Sequence, residues 1–205
     1  YPLATPRLRG IADLLSALYG NEAFIFKFVE SPDEVKKVCE KLTDFWINFA
    51  KAVLFEIPLF HGGVGSFYYN MWAPADSVWH QEDAAALLSP NLYEEFILPC
   101  DIKIAESFNG CFMHMHPVGF YPYKQLLDSP MTCLELHIDA GGPDAEKLNT
   151  VHREILSKKP LLIWGQLTDN DLDCIFNKLY PQGLAVNVAV ESIEQAQRIW
   201  NKYTG

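Results

Sequence analysis

The sequence predicts an α/β protein built as a (β/α)8 TIM barrel, with this chain supplying about the last five strand–helix units. Two observations predict it. Strand-like apolar runs alternate with helical stretches of about 10–15 residues, the pattern of a parallel sheet covered by helices. The strands also divide into an apolar and a more polar face in one consistent sense. Leu134, Leu136 and Ile138 oppose Cys133, Glu135, His137 and Asp139. Cys111, Met113 and Met115 oppose Phe112, His114 and His116. Leu161 and Ile163 oppose Leu162, Trp164 and Gln166, and Leu184, Val186 and Val188 oppose Ala185, Asn187 and Ala189. A full barrel needs eight strands in about 250 residues. The first strands are therefore expected outside residues 1–205, which read as part of a single domain.

Each element has its own signal. Ser31-Pro32-Asp33-Glu34 is a helix start with the makings of a capping box. Val35, Val38, Leu42, Phe45, Trp46 and Phe49 follow at helical spacing, to about Phe55. Ile57 to Phe60 reads as a short strand, and His61 to Asp83 as a long functional loop. Ser89-Pro90 opens a helix that Pro99 should kink or divide. A strand from Cys111 to Met115 precedes a helical stretch near Tyr123 to Leu127, and another runs from Thr132 to Ile138. A helix is expected from Asp144 to Leu156, a strand from Leu161 to Trp164, and a Thr168-capped helix to about Leu179. The strand Leu184 to Val190 and a helix boxed by Ser192 and Gln195 complete the chain.

Composition narrows the function. Lys and Arg total 16 against 26 Asp and Glu, a net charge of −10. That argues against nucleic-acid binding, which needs a basic footprint. No apolar run approaches the ~18 residues of a membrane span. Five scattered cysteines, without CxxC, fit a reducing, cytoplasmic setting rather than a disulfide framework. Cys39 and Cys174 read as small buried hydrophobes.

His114-Met115-His116 puts two imidazoles on one face of a strand, their backbones about 7 Å apart. From there they can converge on one divalent metal or act as hydrogen-bonded pocket histidines. Glu82, Asp83, Glu135 and His137 are candidates for a further ligand. Charged groups inside a barrel are costly unless paired, ligated or solvated, so Glu135, His137 and Asp139 mark a site. Barrel sites sit at C-terminal strand ends, where His114, His116, Asp139 and Gln166 fall. Phe67, Tyr68, Tyr69, Trp72 and Trp79 could line a ring-accepting cavity or belong to the core.

Three stretches carry a family resemblance: Trp72-Ala73-Pro74, Gln81-Glu82-Asp83, and Leu88-Ser89-Pro90-Asn91-Leu92-Tyr93-Glu94-Glu95-Phe96-Ile97-Leu98-Pro99. Followed by His114-Met115-His116-Pro117-Val118-Gly119, they resemble the uroporphyrinogen decarboxylase superfamily. The resemblance spans most of residues 1–205 and corresponds to roughly the last two-thirds of that barrel. It implies one of two chemistries: cofactor-free decarboxylation of uroporphyrinogen in porphyrin biosynthesis, or zinc-dependent methyl transfer between corrinoid proteins and thiol-type acceptors. His114 matches the His of the methyltransferases' His-x-Cys zinc motif, and His116 stands where that motif has Cys. The later Cys ligand has no counterpart near Leu184 to Val190.

The favoured expectation is a divergent, metal-assisted methyltransferase. His114 and His116 would hold zinc, and Gln81, Asp83 and Glu135 would orient substrate or supply a base. Tyr68, Trp72, His137, Asp139 and Gln166 would line the substrate. The expected partners are a small-molecule substrate and a corrinoid protein, the corrinoid acting as co-substrate; a homodimer is left open. Under the decarboxylase alternative no cofactor is needed, and the histidines and acids protonate the pyrrole. A non-catalytic ligand-binding barrel remains a further alternative. An amidohydrolase-like site is disfavoured, since too few strands follow His116.

Overall fold

A computed structural model describes residues 3–66 and 68–204. In chain order it contains β1 (Ala4–Thr5), β2 (Arg7–Arg9), α1 (Ile11–Tyr19), α2 (Asn21–Glu30) and α3 (Pro32–Glu56). Next come β3 (Gly63–Ser66), β4 (Met71–Pro74), β5 (Ser77–Gln81), a 3-10 turn Asp83–Leu87 and α4 (Pro90–Leu92). A π-helical stretch, Tyr93–Ile97, joins α4 to α5 (Leu98–Glu106). The rest is β6 (Gly110–Met115), α6 (Tyr123–Leu127), β7 (Cys133–Ile138), α7 (Ala145–Leu156), β8 (Leu161–Gly165), α8 (Asp169–Lys178), β9 (Leu184–Val188) and α9 (Ile193–Thr204).

The architecture is mixed α/β. Six strands form one sheet in the order β2-β5-β6-β7-β8-β9, all parallel, with β2 and β9 at its edges. The order never reverses. The outward set of each strand, including Met113, Leu134, Leu136 and Ile163, packs into the large core beneath the helices. A second cluster lies on the other face. There the antiparallel hairpin β3–β4 lays Val64, Tyr69 and Ala73 over Trp79 and Leu162, with Phe112 and Trp164 beside them. The inner face is therefore layered too, by the hairpin.

Several expectations need correcting. Ile57 to Phe60 is not a strand; Pro58 cannot donate a ladder hydrogen bond, and only a bridge between Phe60 and Gly63 forms. The expected loop from His61 to Asp83 instead holds the hairpin and β5. Ser31 makes no side-chain cap bond. The buried stripe of α3 is Val35, Cys39, Thr43, Trp46, Ile47 and Ala50, whereas Phe45 and Phe49 stack on each other at the surface. Ser192 caps α9 through Gln195 N–H, but the Gln195 side chain accepts from Glu191, so the second half of that box is displaced by one residue. The Pro99 expectation has a definite form: the wide π turn ends at Ile97, and α5 restarts at Leu98 with Pro99, which has no N–H to give the ladder, in its first turn.

Candidate metal and acid–base site

Parallel register brings the candidate side chains abreast. Gln81 pairs with His114, and His114 with Glu135, across β5, β6 and β7. Because side chains alternate, all three point to the inner face. Asp83, His116, His137 and Asp139 extend the cluster along the C-terminal ends of the same strands.

The contacts form a line. Arg7 of β2 donates to the Tyr69 hydroxyl (3.0 Å), which donates to Glu135 Oε2 (3.4 Å). That carboxylate oxygen is in close contact with His114 Nδ1. His114 Nε2 faces His116 Nε2 at 2.8 Å, and His116 Nδ1 meets both Asp139 oxygens at 2.8 and 2.9 Å. Asp83 Oδ1 stands 3.9 Å from His114 Nε2 and 4.0 Å from His116 Nε2. His137 lies between Glu135 Oε1 (3.9 Å) and Asp139 Oδ1 (3.7 Å). Glu135 and His114 are buried at 2% exposure, whereas His116 and Asp139 are partly open.

Burial sets the proton balance. It pushes the Glu135 carboxyl well up, against the pull of Arg7 and Tyr69. Burial, then the Arg7 guanidinium and the neighbouring His116 and His137 rings, push His114 down to about 2. Desolvation also lowers His137 and raises Tyr69. If Nδ1–H of each ring donates to its carboxylate, the two Nε2 lone pairs confront each other, with Asp83 behind them. Such a set needs a cation. Asp83, His114 and His116 could hold a metal ion, as could His116, His137 and Asp139. Zn–N bonds of about 2.0 Å at tetrahedral angles set ligand atoms about 3.3 Å apart, and the distances around Asp83, His114 and His116 bracket that value. The alternative is a single proton between the rings, supplied by a protonated Glu135 acting through His114.

The 83 position is held from behind. Gln81 Nε2 bonds Asp83 and Asp13, and Asp13 also accepts from Ala84 N–H (2.7 Å). The outward side chains of the same segment form a buried polar cluster: His80 against Asp101 (3.4 Å), Tyr93 hydroxyl on Asp101, and Cys111 by His80. Glu82 accepts backbone N–H from Ile11 and Ala12 (2.5 and 2.8 Å), capping α1 from across the fold. Gly10 permits this approach; a Cβ there would fall 2.1 Å from Glu82 Oε1.

The structure brings together Gln81, Asp83, His114, His116, Glu135, His137 and Asp139. Tyr68 joins them at the edge, its ring under the Arg7 guanidinium (4.3 Å) and edge-on to Trp164. Two predicted residues lie elsewhere. Trp72 is 51% exposed and gives its indole N–H to Phe60; its neighbour Ala73 takes the inward position of β4. Gln166 is exposed, because β8 ends at Gly165, whose φ of 146° redirects the chain. Phe67 lies outside the described residues. Cys111 falls on the helix side and Trp79 stacks on Phe112 within the inner core. Sequence reasoning missed Arg7 as a site residue and left Tyr69 undecided. The alternation Arg7-Leu8-Arg9 was the available signal for the first; the second comes from a hairpin taken as loop.

No protein-family model matches this sequence, and no curated protein matches it.

Proposed function

We propose that this chain is the C-terminal part of an eight-stranded barrel enzyme related to the uroporphyrinogen decarboxylase superfamily, working as a metal-assisted methyltransferase. Its zinc ligands are His114, His116 and Asp83. One observation carries the metal reading: two Nε2 atoms 2.8 Å apart, each ring backed at Nδ1 by a carboxylate, Glu135 or Asp139. Carboxylate–histidine pairs are the usual outer support of metal-bound imidazoles. The barrel reading is supported by Tyr69, which bonds Arg7 on one edge strand and Asn187 on the other (3.3 Å); the sheet curls far enough for one residue to reach both edges.

A bound divalent metal would favour the anionic form of a thiol or hydroxyl acceptor at neutral pH. The chain's own residues orient and select. Glu135 and Asp139 fix the two ring planes, Gln81 holds Asp83 in place, and the hairpin excludes water from the inner side of His114. The methyl donor is a corrinoid protein, and the acceptor a small molecule. The five buried, unpaired cysteines suit a reducing compartment such as the cytoplasm.

Metal analysis of the purified chain tests this. One zinc per chain is expected, with His114→Ala and His116→Ala each losing it. A metal-free wild type that still turns over a substrate would overturn the reading. It would favour the second one, cofactor-free decarboxylation, which the unbroken line Glu135–His114–His116–Asp139 also supports as a proton path. Ligand binding without turnover would leave a non-catalytic barrel.

A further inference from the structure

The outward cluster behind β5 plays no part in the chemistry proposed for the inner face. His80, Glu82 and Asp101 are each at most 4% exposed, and one ligand atom of each lies within 4.8 Å of the others. They come from β5, from the residue just past it and from α5, with Trp46 of α3 edge-on to the His80 ring. His80 Nε2 and Asp101 Oδ1 stand 3.4 Å apart, yet neither has a hydrogen-bond partner among the described residues. The other atom of each group is engaged. Asp101 Oδ2 accepts from the Tyr93 hydroxyl, and His80 Nδ1 lies 3.7 Å from Cys111 Sγ. With the ring proton on Nδ1, directed at that sulfur, Nε2 turns a lone pair toward a carboxylate oxygen. Two acceptors then face each other, with a second carboxylate alongside, in a space sealed from solvent. Leaving such atoms unmatched is costly.

From this set we propose that His80, Glu82 and Asp101 hold a second, structural divalent cation of the manganese(II) type. Two ionised carboxylates and a neutral imidazole carry the negative charge that one such ion cancels. Bonds of about 2.1–2.5 Å, usual for hard divalent cations, set donors at right angles about 3.0–3.5 Å apart; the His80–Asp101 spacing falls in that range. Glu82 already accepts from Ile11 and Ala12, and its oxygens keep further lone pairs for the ion. The donors also select the metal. Two carboxylates with one imidazole are a harder set than the two imidazoles and one carboxylate on the inner face, and the imidazole disfavours magnesium and calcium, which take oxygen. Bound there, the ion ties β5 and α5 to the N-terminus of α1. Shielded on all sides, it enters as the chain folds.

The test uses the His114→Ala/His116→Ala chain, so that the inner cluster cannot take the ion. The chain is unfolded in urea with EDTA, refolded with or without manganese(II), and desalted, with folding followed by circular dichroism. One manganese per chain is expected, seen as loss of the six-line electron paramagnetic resonance signal of the aqueous ion. EDTA added to the folded chain should restore that signal only at the rate of unfolding, and at once when urea is present. Manganese at about 100 times its Kd should raise the folding constant about 100-fold. On the same background, Asp101→Asn and His80→Gln should each lower manganese retention at least tenfold. Where a substitution prevents folding, release rate and stabilisation in the parent chain decide. A folded chain that retains no manganese overturns the site and leaves protons as the cluster's only cations. Manganese that EDTA strips within the mixing time, as from surface carboxylates, overturns it as well, and so does retention that the two folded variants leave unchanged. None of these outcomes touches the zinc reading of His114 and His116, which rests on its own metal analysis.

Discussion

Glu135 touches His114 and Tyr69 and faces His137, and each contact constrains a different neighbour. Glu135→Gln keeps the shape and removes the carboxyl oxygen that holds the His114 ring. Loss of an outer carboxylate of this kind weakens metal affinity by about 10–100-fold. Competition against a chelator should show that drop, with folding unchanged by circular dichroism. His152 offers an independent residue-level test, remote from the metal question. It is fully buried on α7, neither ring nitrogen has a hydrogen-bond partner among the described residues, and burial lowers its pKa to about 4. The unfolded chain binds that proton near pH 6.5. Between pH 6.5 and about 4 the unfolded state therefore holds more protons. The stability is fully present above that window and falls as pH drops through it, by up to about 3 kcal/mol. Urea melts at pH 7 and pH 4.5 should show this loss, and His152→Leu should remove its share of the pH slope.

At the scale of elements, the union of α1 with the end of β5 is the most exacting contact. Gly10→Ala would drive a Cβ into Glu82 and the Gln81 carbonyl. A cost of about 2 kcal/mol or more is expected in equilibrium denaturation, together with weaker metal binding, since Asp83 follows Glu82 directly. The same region marks the limit of what periodicity reveals. Strands β6 and β7 were legible because their polar side chains fall on one side only, and β8 because it is a short apolar run between Pro160 and Gly165. Strand β5 was not: Ser77 and Gln81 lie on one face and His80 on the other, so its polar residues mark neither side. Strands β1 and β2, of two and three residues, are too short to carry a period. His114, His116, Glu135 and Asp139 could be read as a cluster from alternation alone. Trp72 and Gln166 could not be excluded that way, because one depends on which side of a hairpin packs inward and the other on a turn at Gly165. Arg7 reaches the site across 62 residues of sequence, a distance that no local pattern spans.

For the whole molecule, the two free edges of the sheet are the defining feature. Among the described residues the edge strands do not pair with each other, yet both bond to Tyr69, Asn187 doing so across 118 residues. Loop-closure entropy delays contacts of such separation until most of the chain is ordered. Docking of β9 onto Tyr69 thus belongs after the rate-limiting barrier. In stopped-flow kinetics Asn187→Ala should accelerate unfolding and leave the refolding limb unaltered, the behaviour of a late contact. A ribosome-bound chain released only up to β8 would carry Asp83, the histidine pair, Glu135 and Asp139 already in place, and the final strand would arrive as a latch on a finished centre.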